Sequence, residues 1–444
     1  MDKAWYIKEG LRQLQDTNIY KKTTSAPFEE LYHQLNNICT SFRDVISPQE
    51  HKFILHTPIR GYKVCPLYFL PKLHKPTITG RPICAYNSFI FENTSKWLHQ
   101  KLYPLLISQP QHLTDSLSLI KDLTTLKLPP KILLFTFDIE SLYPSIPTKQ
   151  GLEALNNMLL NSYPKRLANC IYRLSALTLE YHFLQFNGQV YQQIQGTAMG
   201  SNFSVAYACL FLCYLENLQE PNPRLIYYKR YIDDAFGIWQ GDKESLRDYL
   251  DRYAIKFKEF IRITSSISQS KVDFLDLSIS IGKDFYTTHH LTTNIFQKPL
   301  NKYQYIPFSS LHPLHQKRLF IKSELTRYIL RESSLQGYLT IRKLFYERLR
   351  ARGYPPSFLK DCFDLVTYAN RNSLLSKRTN TSKNVIVFKL VYSKFTLNLK
   401  IKTLLKRLHQ SLLKDPLLSH IPKPIICWLN PKNLRSLLVR KNIS

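Results

Sequence analysis

The 444 residues are 44% hydrophobic and carry a formal net charge of +29, from 61 Lys and Arg against 32 Asp and Glu. A chain this long exceeds one ordinary core, so two or three subdomains are expected; self-repulsion at this charge favours a polyanionic partner, with nucleic acid the natural one and an anionic membrane surface the rival. No run of 18 apolar residues exists to span a membrane, the N-terminus has no apolar core of a secretory signal, and the eight cysteines show neither Cys-x-x-Cys nor zinc-finger spacing, which suits free thiols in a reducing compartment.

Residues 1 to about 60 read as helical and polar, with Leu11, Leu14, Leu31, Leu35 and Ile38 at loosely helical spacing. A short apolar strand follows from Val64 to Leu70. Pro71, Pro76 and Pro82 then forbid a helix and force extended, turn-rich backbone. Lys72, Lys75 and Arg81 project from this stiff segment, either as a triphosphate clamp or as a solvated basic loop. Residues 93–103 read as a helix capped by Asn93 or Thr94, and Pro129-Pro130 marks a connection.

The apolar run from Ile132 to Phe137 is a buried strand with Asp138 at its carboxyl end. A lone carboxylate there is a poor core residue and asks for a structural partner or a metal. Tyr143 lies five residues on, past a turn, close enough to line the same cavity. Helices are expected at 149–160 and 165–181, then a hairpin about Asn187-Gly188. The loop Gln195-Gly196-Thr197-Ala198-Met199-Gly200-Ser201 lets another backbone or a flat base approach closely. It runs into an apolar helix, 203–217, with Ser201 or Asn202 as its cap.

Two aromatic and aliphatic strands between Leu225 and Trp239 flank Tyr231-Ile232-Asp233-Asp234. Adjacent carboxylates repel unless a cation sits between them, so the pair reads either as an exposed hairpin turn or as two ligands of a divalent metal, with Asp138 the candidate third ligand. An amphipathic helix at 243–260, an alternating strand from Lys271 to Ile281 and a second strand or ribbon from Phe285 to Phe296 come next. Helices follow at 313–332, 335–351 and 357–375, with Pro313 and Pro356 in first turns and Gly353 as a stop. From Lys383 onward 13 Lys and Arg stand against one acid, Asp415, and the apolar face of a helix at 397–413 makes this tail a folded basic module.

Taken in order, these pieces resemble a right-handed palm polymerase, specifically a reverse transcriptase. Tyr231-Ile232-Asp233-Asp234 resembles the Tyr-x-Asp-Asp hairpin, Phe137-Asp138 with Tyr143 the first carboxylate motif, and Gln195-Gly196 the template-primer loop. Leu70-Pro71-Lys72-Leu73-His74-Lys75-Pro76, Arg81-Pro82-Ile83, Arg230-Tyr231-Ile232-Asp233-Asp234, Phe274-Leu275-Asp276-Leu277, Ser310-Leu311-His312-Pro313, Arg352-Gly353-Tyr354-Pro355 and Lys432-Asn433-Leu434-Arg435 look like the Penelope-like retroelement reverse transcriptases, relatives of telomerase. Asp138 to Ser145 also resembles the first motif of family B DNA polymerases. Tyr-Ile-Asp-Asp and Gln-Gly-Thr-Ala-Met-Gly decide for reverse transcriptase.

The resemblance implies an α+β right-hand polymerase. Residues 1–60 would be the N-terminal helical part of the fingers, 61–300 the fingers and palm with its antiparallel sheet, 301–380 a helical thumb and 381–444 a basic C-terminal segment. It implies catalytic Asp138, Asp233 and Asp234, which with the carbonyl of Ile139 would hold two Mg2+, replaceable by Mn2+. Lys72, Lys75 and Arg81 would hold the triphosphate; their competing reading is contact with template backbone. Tyr143 would stack under the sugar and crowd a 2′-hydroxyl, its competing reading being core packing. Gln195, Gly196 and Met199 would face the nascent base pair and template, and Lys271, Asp273, Phe274 and Leu275 would lie near the primer grip, with Phe274 and Leu275 read first as packing residues.

The implied partners are an RNA template, a DNA primer and deoxynucleoside triphosphates, with no membrane. The implied place is the nucleus, otherwise the cytoplasm, and not secretion. The family's Ala-Asp-Lys-Gly segment is absent ahead of Trp5, and Ser444 falls about where a GIY-YIG endonuclease would begin, so no nicking activity is claimed and an adjacent frame is where such a domain would be encoded. The alternative is a truncated, inactive remnant that only binds nucleic acid.

Overall fold

The computed structural model describes residues 2–73, 77–376, 385–391, 400–418 and 421–429. The chain divides into two compact units, Met1–Leu300 and Asn301–Ile443.

The first unit opens with α1 (Lys3–Leu14), β1 (Tyr20–Thr23), α2 (Phe28–Ser41) and α3 (Pro48–Ile54). The expected all-helical start is thus interrupted by a strand. Tyr20–Thr23 pairs antiparallel with residues 190–193, so a non-local edge fixes its conformation where local pattern does not. Next come β2 (Cys65–Pro71), β3 (Gly80–Cys84), α4 (Glu92–Ile107), α5 (Ser116–Thr125), β4 (Leu133–Ile139), α6 (Leu142–Ser145), α7 (Thr148–Leu160) and α8 (Lys165–Glu180). Helix α4 starts behind Phe91, whose carbonyl accepts from the Ser95 amide at 2.8 Å, so Asn93 and Thr94 lie in its first turn and do not cap it.

The unit continues with β5 (His182–Phe186), β6 (Gln189–Gln193), α9 (Asn202–Asn217), β7 (Leu225–Tyr231), β8 (Asp234–Trp239), α10 (Lys243–Lys256), β9 (Ile263–Ser268), β10 (Lys271–Phe274), β11 (Leu277–Ser280), α11 (Phe285–Thr288) and β12 (Thr292–Ile295). Asn187 and Gly188 both take positive φ (47° and 76°), the requirement of a tight two-residue hairpin. The stretch expected as one strand from Lys271 to Ile281 folds back at Leu275, whose φ is 55°, so that Phe274 faces Leu277. The ribbon expected from Phe285 begins instead as one helical turn. His289, at φ 58°, ends that turn before the chain enters β12.

Among the described residues of this unit three sheets form, in the orders β1-β6-β5-β2-β3, β7-β8-β4-β9 and β10-β11-β12. The second is antiparallel throughout and carries the acidic motifs. Helix α9 packs against α4 and α7 beneath it and is buried on nearly all sides, as its uninterrupted apolar sequence requires. Cys209 and Cys213 are core residues of that helix, and all eight cysteines are free thiols.

The second unit packs α12 (Leu314–Arg331), α13 (Leu335–Ala351), α14 (Pro356–Asp364) and α15 (Arg371–Ser376) around Leu325, Tyr328, Phe345, Leu349 and Leu359. The helix expected at 357–375 is therefore two helices, parted by a short 3-10 turn at Tyr368–Asn370. Gly353 takes φ 81° after α13, the left-handed stop its position suggested. Lys317 is buried and donates to the carbonyls of Phe308 and Ser310 at 2.7 and 2.8 Å, so its charge is met by backbone oxygens. Further on, β13 (Ile386–Val391) and β14 (Pro424–Leu429) pair in parallel, with a helix at Ile401–Leu412 between them in sequence. Residues 397–399 and 432–435 lie outside the described residues. Among those described, no helix is long and apolar enough to cross a membrane.

Candidate active site

The site is built by register. Strand β4 pairs with β8 from Leu133 opposite Trp239 to Asp138 opposite Asp234, and with β9 so that Asp138 faces Thr264 on its other side. Because β7 and β8 pair Tyr231 with Asp234, only Ile232 and Asp233 make the turn. Ile232 sits at φ 56°, an uncommon conformation for a β-branched residue. The Ile139 amide donates to the Asp233 carbonyl at 3.1 Å, tying the tip of the hairpin to the end of β4. The sheet thereby gathers three carboxylates at one end of its two central strands: Asp138 exposed, Asp233 and Asp234 half-buried.

Their charges act on one another. Burial first, then the charges of Asp233 and Asp138, push the Asp234 carboxyl up to about 6. Among the described residues no cluster of three or more His, Cys, Asp or Glu forms a metal cage. Carboxylates whose charges raise the Asp234 pKa still suit a divalent cation whose remaining ligands are water and phosphate oxygens. A cavity of about 160 Å³ adjoins Asp138 and Asp234. It is also lined by Asp273, Phe274 and Leu275, residues expected near a primer.

Tyr143 lies in α6, half-buried. Burial pushes its phenol up; the carboxylate of Asp233 adds to the shift and the guanidinium of Arg81 opposes it, so both charges act on this one ring. The Tyr143 carbonyl accepts from the Thr197 amide at 2.9 Å, and Gln195 Nε2 donates to the Pro144 carbonyl at 3.4 Å. Gly196, at φ 75°, lies so close that a Cβ would stand 2.6 Å from Pro144 Cα. The Cys84 amide donates to the Met199 carbonyl at 2.7 Å. The glycine loop is therefore sewn between α6 and the end of β3.

Arg81 is exposed on β3 opposite Leu70. Lys72 is half-buried just past β2, its amide donating to the Thr79 carbonyl at 2.8 Å. No described contact links Lys72 to a carboxylate, and Lys75 lies outside the described residues. The structure thus brings Asp138, Asp233, Asp234, Tyr143, Gln195 and Gly196 into one region with Arg81 in electrostatic reach.

Two buried charges of the first unit were given no role from sequence: Glu9 was not singled out, and Arg230 entered only as the first residue of the Arg230–Asp234 motif. Glu9 accepts from Arg12 Nε at 2.7 Å and from the Gly80 amide at 2.9 Å, fastening α1 to the start of β3. Arg230 is wholly buried beneath the hairpin and paired with Glu216 at 2.6 Å. A signal existed for the second pair, since Glu216 is the only acid in an otherwise apolar helix.

Residues 73–292 match the family model "Reverse transcriptase (RNA-dependent DNA polymerase)", and residues 304–364 match "Animal helix-turn-helix domain". No curated protein matches. Among solved structures, the chain is similar to telomerase from Candida albicans in complex with the TWJ fragment of telomeric RNA, at 14% identity and TM-score 0.49, covering 89% of this chain and 69% of that one. It is similar to apo telomerase from Candida tropicalis at 12% identity and TM-score 0.41, covering 71% and 61%. The BmCPV RNA-dependent RNA polymerase at elongation state is similar at 12% identity and TM-score 0.39, covering 75% and 30%.

Proposed function

We propose that this chain, an RNA-directed DNA polymerase by its reverse transcriptase domain at residues 73–292, extends a DNA primer on an RNA template for a retroelement of the Penelope-like kind. The observation that carries the chemistry is the pairing of Asp138 with Asp234, with Asp233 at the turn beside them. Asp138, Asp233 and the Ile139 carbonyl would hold two Mg2+, or Mn2+ in their place, and Asp234 would support the primer-side ion. Such a pair, when bound, stabilises the attacking and leaving oxygens of an in-line displacement.

The reaction joins a primer 3′-hydroxyl to the α-phosphate of a deoxynucleoside triphosphate and releases pyrophosphate. Arg81 and Lys72, with Lys75 as helper, would hold the triphosphate. Tyr143 would lie under the sugar, and Gln195 and Gly196 against the nascent base pair. We read 1–60 with 61–300 as fingers and palm, 301–380 as thumb and 381–444 as a basic segment along the duplex. The helix-turn-helix match at 304–364 supports nucleic-acid contact by the helical unit. A DNA primer places the work in the nucleus.

The test is primer extension by the full chain on an RNA template, with a labelled DNA primer, deoxynucleotides and Mg2+ or Mn2+. Templated extension is expected, and none from Asp233→Asn. Binding of the hybrid without any extension would instead identify a remnant that only binds nucleic acid.

A further inference from the structure

Arg230 is fully buried three residues before Asp233 and is held at both ends. Its amide donates to the Gln111 carbonyl at 2.8 Å, and its carbonyl accepts from the Leu113 amide at 2.9 Å. Gln111 Nε2 in turn donates to the Cys213 carbonyl and to Asn217 Oδ1, each at 3.1 Å. The backbone of Arg230 is thus pinned to α9 through a segment that covers the edge of β7.

The guanidinium makes a second set of bonds. Nε donates to Glu216 Oε1 at 2.6 Å and Nη2 to Glu216 Oε2 at 3.0 Å, a bidentate pair. Nη2 also donates to the Cys209 carbonyl at 3.2 Å, and Nη1 donates to the Ile232 carbonyl at 2.8 Å. Tyr228 Oη donates to Glu216 Oε1 at 2.7 Å, completing the anchor. One planar group therefore bridges a rigid helix and the peptide between Ile232 and Asp233.

A buried ion pair is a weak source of stability, because apolar residues of similar volume often serve as well. Its geometric effect is specific. Ile232 is held at φ 56°, and such strain persists only where the surroundings over-determine it. The bonds that do so are Arg230 Nη1 to the Ile232 carbonyl and the Ile139 amide to the Asp233 carbonyl. We propose that Arg230, oriented by Glu216 and Tyr228, is a positioning residue that sets the Ile232–Asp233 peptide and so aims the Asp233 carboxylate. This rests on the polymerase reading given above.

The test compares wild type with Arg230→Lys and with the double variant Arg230→Met/Glu216→Leu, which removes both charges and orphans neither. The readouts are steady-state primer extension, affinity for an RNA–DNA hybrid, Mn2+ binding by electron paramagnetic resonance, and amide hydrogen exchange of residues 231–235. Positioning predicts cooperative melting and hybrid affinity within about two-fold of wild type, with kcat lower by about 100-fold, little change in nucleotide KM, and weaker Mn2+ binding. Exchange should quicken at the turn while β4 and α9 stay protected. A double variant with kcat within two-fold of wild type would overturn the proposal. So would lost protection spread evenly through α9, which marks simple helix packing. If the double variant does not fold, Arg230→Lys decides by the same readouts, since lysine keeps the charge near Glu216 and cannot bridge to both partners. If wild type itself extends no primer, the polymerase reading fails; faster exchange at the turn then still upholds the positioning role, and unchanged exchange overturns it.

Discussion

The Ile139 amide and the Asp233 carbonyl, 3.1 Å apart, couple the end of β4 to the tip of the neighbouring hairpin. Asp138 opposes Asp234 through the same ladder, so the carboxylates are arranged by backbone and need no mutual contact to stay in place. Asp138→Ala and Asp233→Asn should therefore each lower primer extension by on the order of 10³-fold or more while leaving the fold intact. Both variants should still melt cooperatively, read by thermal melting. An Asp233→Asn protein that still extends would remove Asp233 from the chemistry.

Two glycines of similar backbone separate conformational strain from close approach. Gly188, at φ 76°, faces open space, whereas a Cβ on Gly196, at φ 75°, meets the Tyr143 and Pro144 backbone. Gly188→Ala should cost about 1 kcal/mol and keep activity. Gly196→Ala should cost about 2–3 kcal/mol and abolish extension, because the loop must leave Tyr143 to make room. Urea unfolding and primer extension of both variants check this. Equal losses in the two would mean that the close approach is immaterial.

Much of the site's frame was legible because its signals are local. An aspartate closing an apolar run marks the end of β4, Asn187-Gly188 marks a tight turn, and the apolar stretch expected as helix 203–217 is the observed α9. What escaped depends on distant partners. Tyr20–Thr23 is a strand only because β6 offers an edge, and the pairing of β2 with β5 joins segments more than a hundred residues apart. The fold-back at Leu275 was missed because its two-residue turn, Leu275-Asp276, lacks glycine or asparagine; the trace it leaves is the slip in alternation at the adjacent apolar pair Phe274-Leu275. Arg230 read only as the first residue of a motif ending in Asp233-Asp234; its burial follows from Glu216 on α9, which local pattern does not bring near.

Glu9 predicts a pH signature for the docking of α1. The Arg12 guanidinium, helped by the Gly80 amide and Gln13, holds its carboxyl down at about 2. A depressed carboxylate stabilises the fold above its ordinary titration range and loses that contribution as pH falls toward the folded value. Glu9→Gln should thus lower stability by about 1–2 kcal/mol at pH 7, after allowance for solvent screening. The gap between variant and wild type should narrow from about pH 4.5 downward, measured by melting at several pH values. A gap independent of pH would assign the effect to packing.

The basic tail predicts a salt response. Thirteen Lys and Arg against Asp415 after residue 382 would release many counterions on binding a duplex. Affinity for an RNA–DNA hybrid should fall by roughly 10³-fold between 50 and 200 mM salt, the loss expected of about six phosphate contacts. Ending the chain at residue 380 should flatten the slope of log affinity against log salt. A flat response in the full chain would separate its charge from nucleic-acid binding.

Tyr143 offers the sharpest distinction between function and packing. Its ring is half-buried, within electrostatic reach of Asp233 and Arg81, and its own carbonyl anchors the glycine loop through Thr197. On the proposed reading, a side chain there would meet the sugar of a nucleotide whose phosphates would lie toward Arg81. Tyr143→Ala keeps the backbone bond to Thr197 and removes only the ring. It should raise the use of ribonucleotides relative to deoxynucleotides by on the order of 10-fold or more, the discrimination that a steric contact of this size supplies. Tyr143→Phe should retain the wild-type ratio, since bulk and not the hydroxyl would exclude a 2′-oxygen. Competition assays with paired ribo- and deoxynucleotides measure the ratio directly. A ratio unchanged in Tyr143→Ala, with slower extension of both sugars, would return the ring to the core.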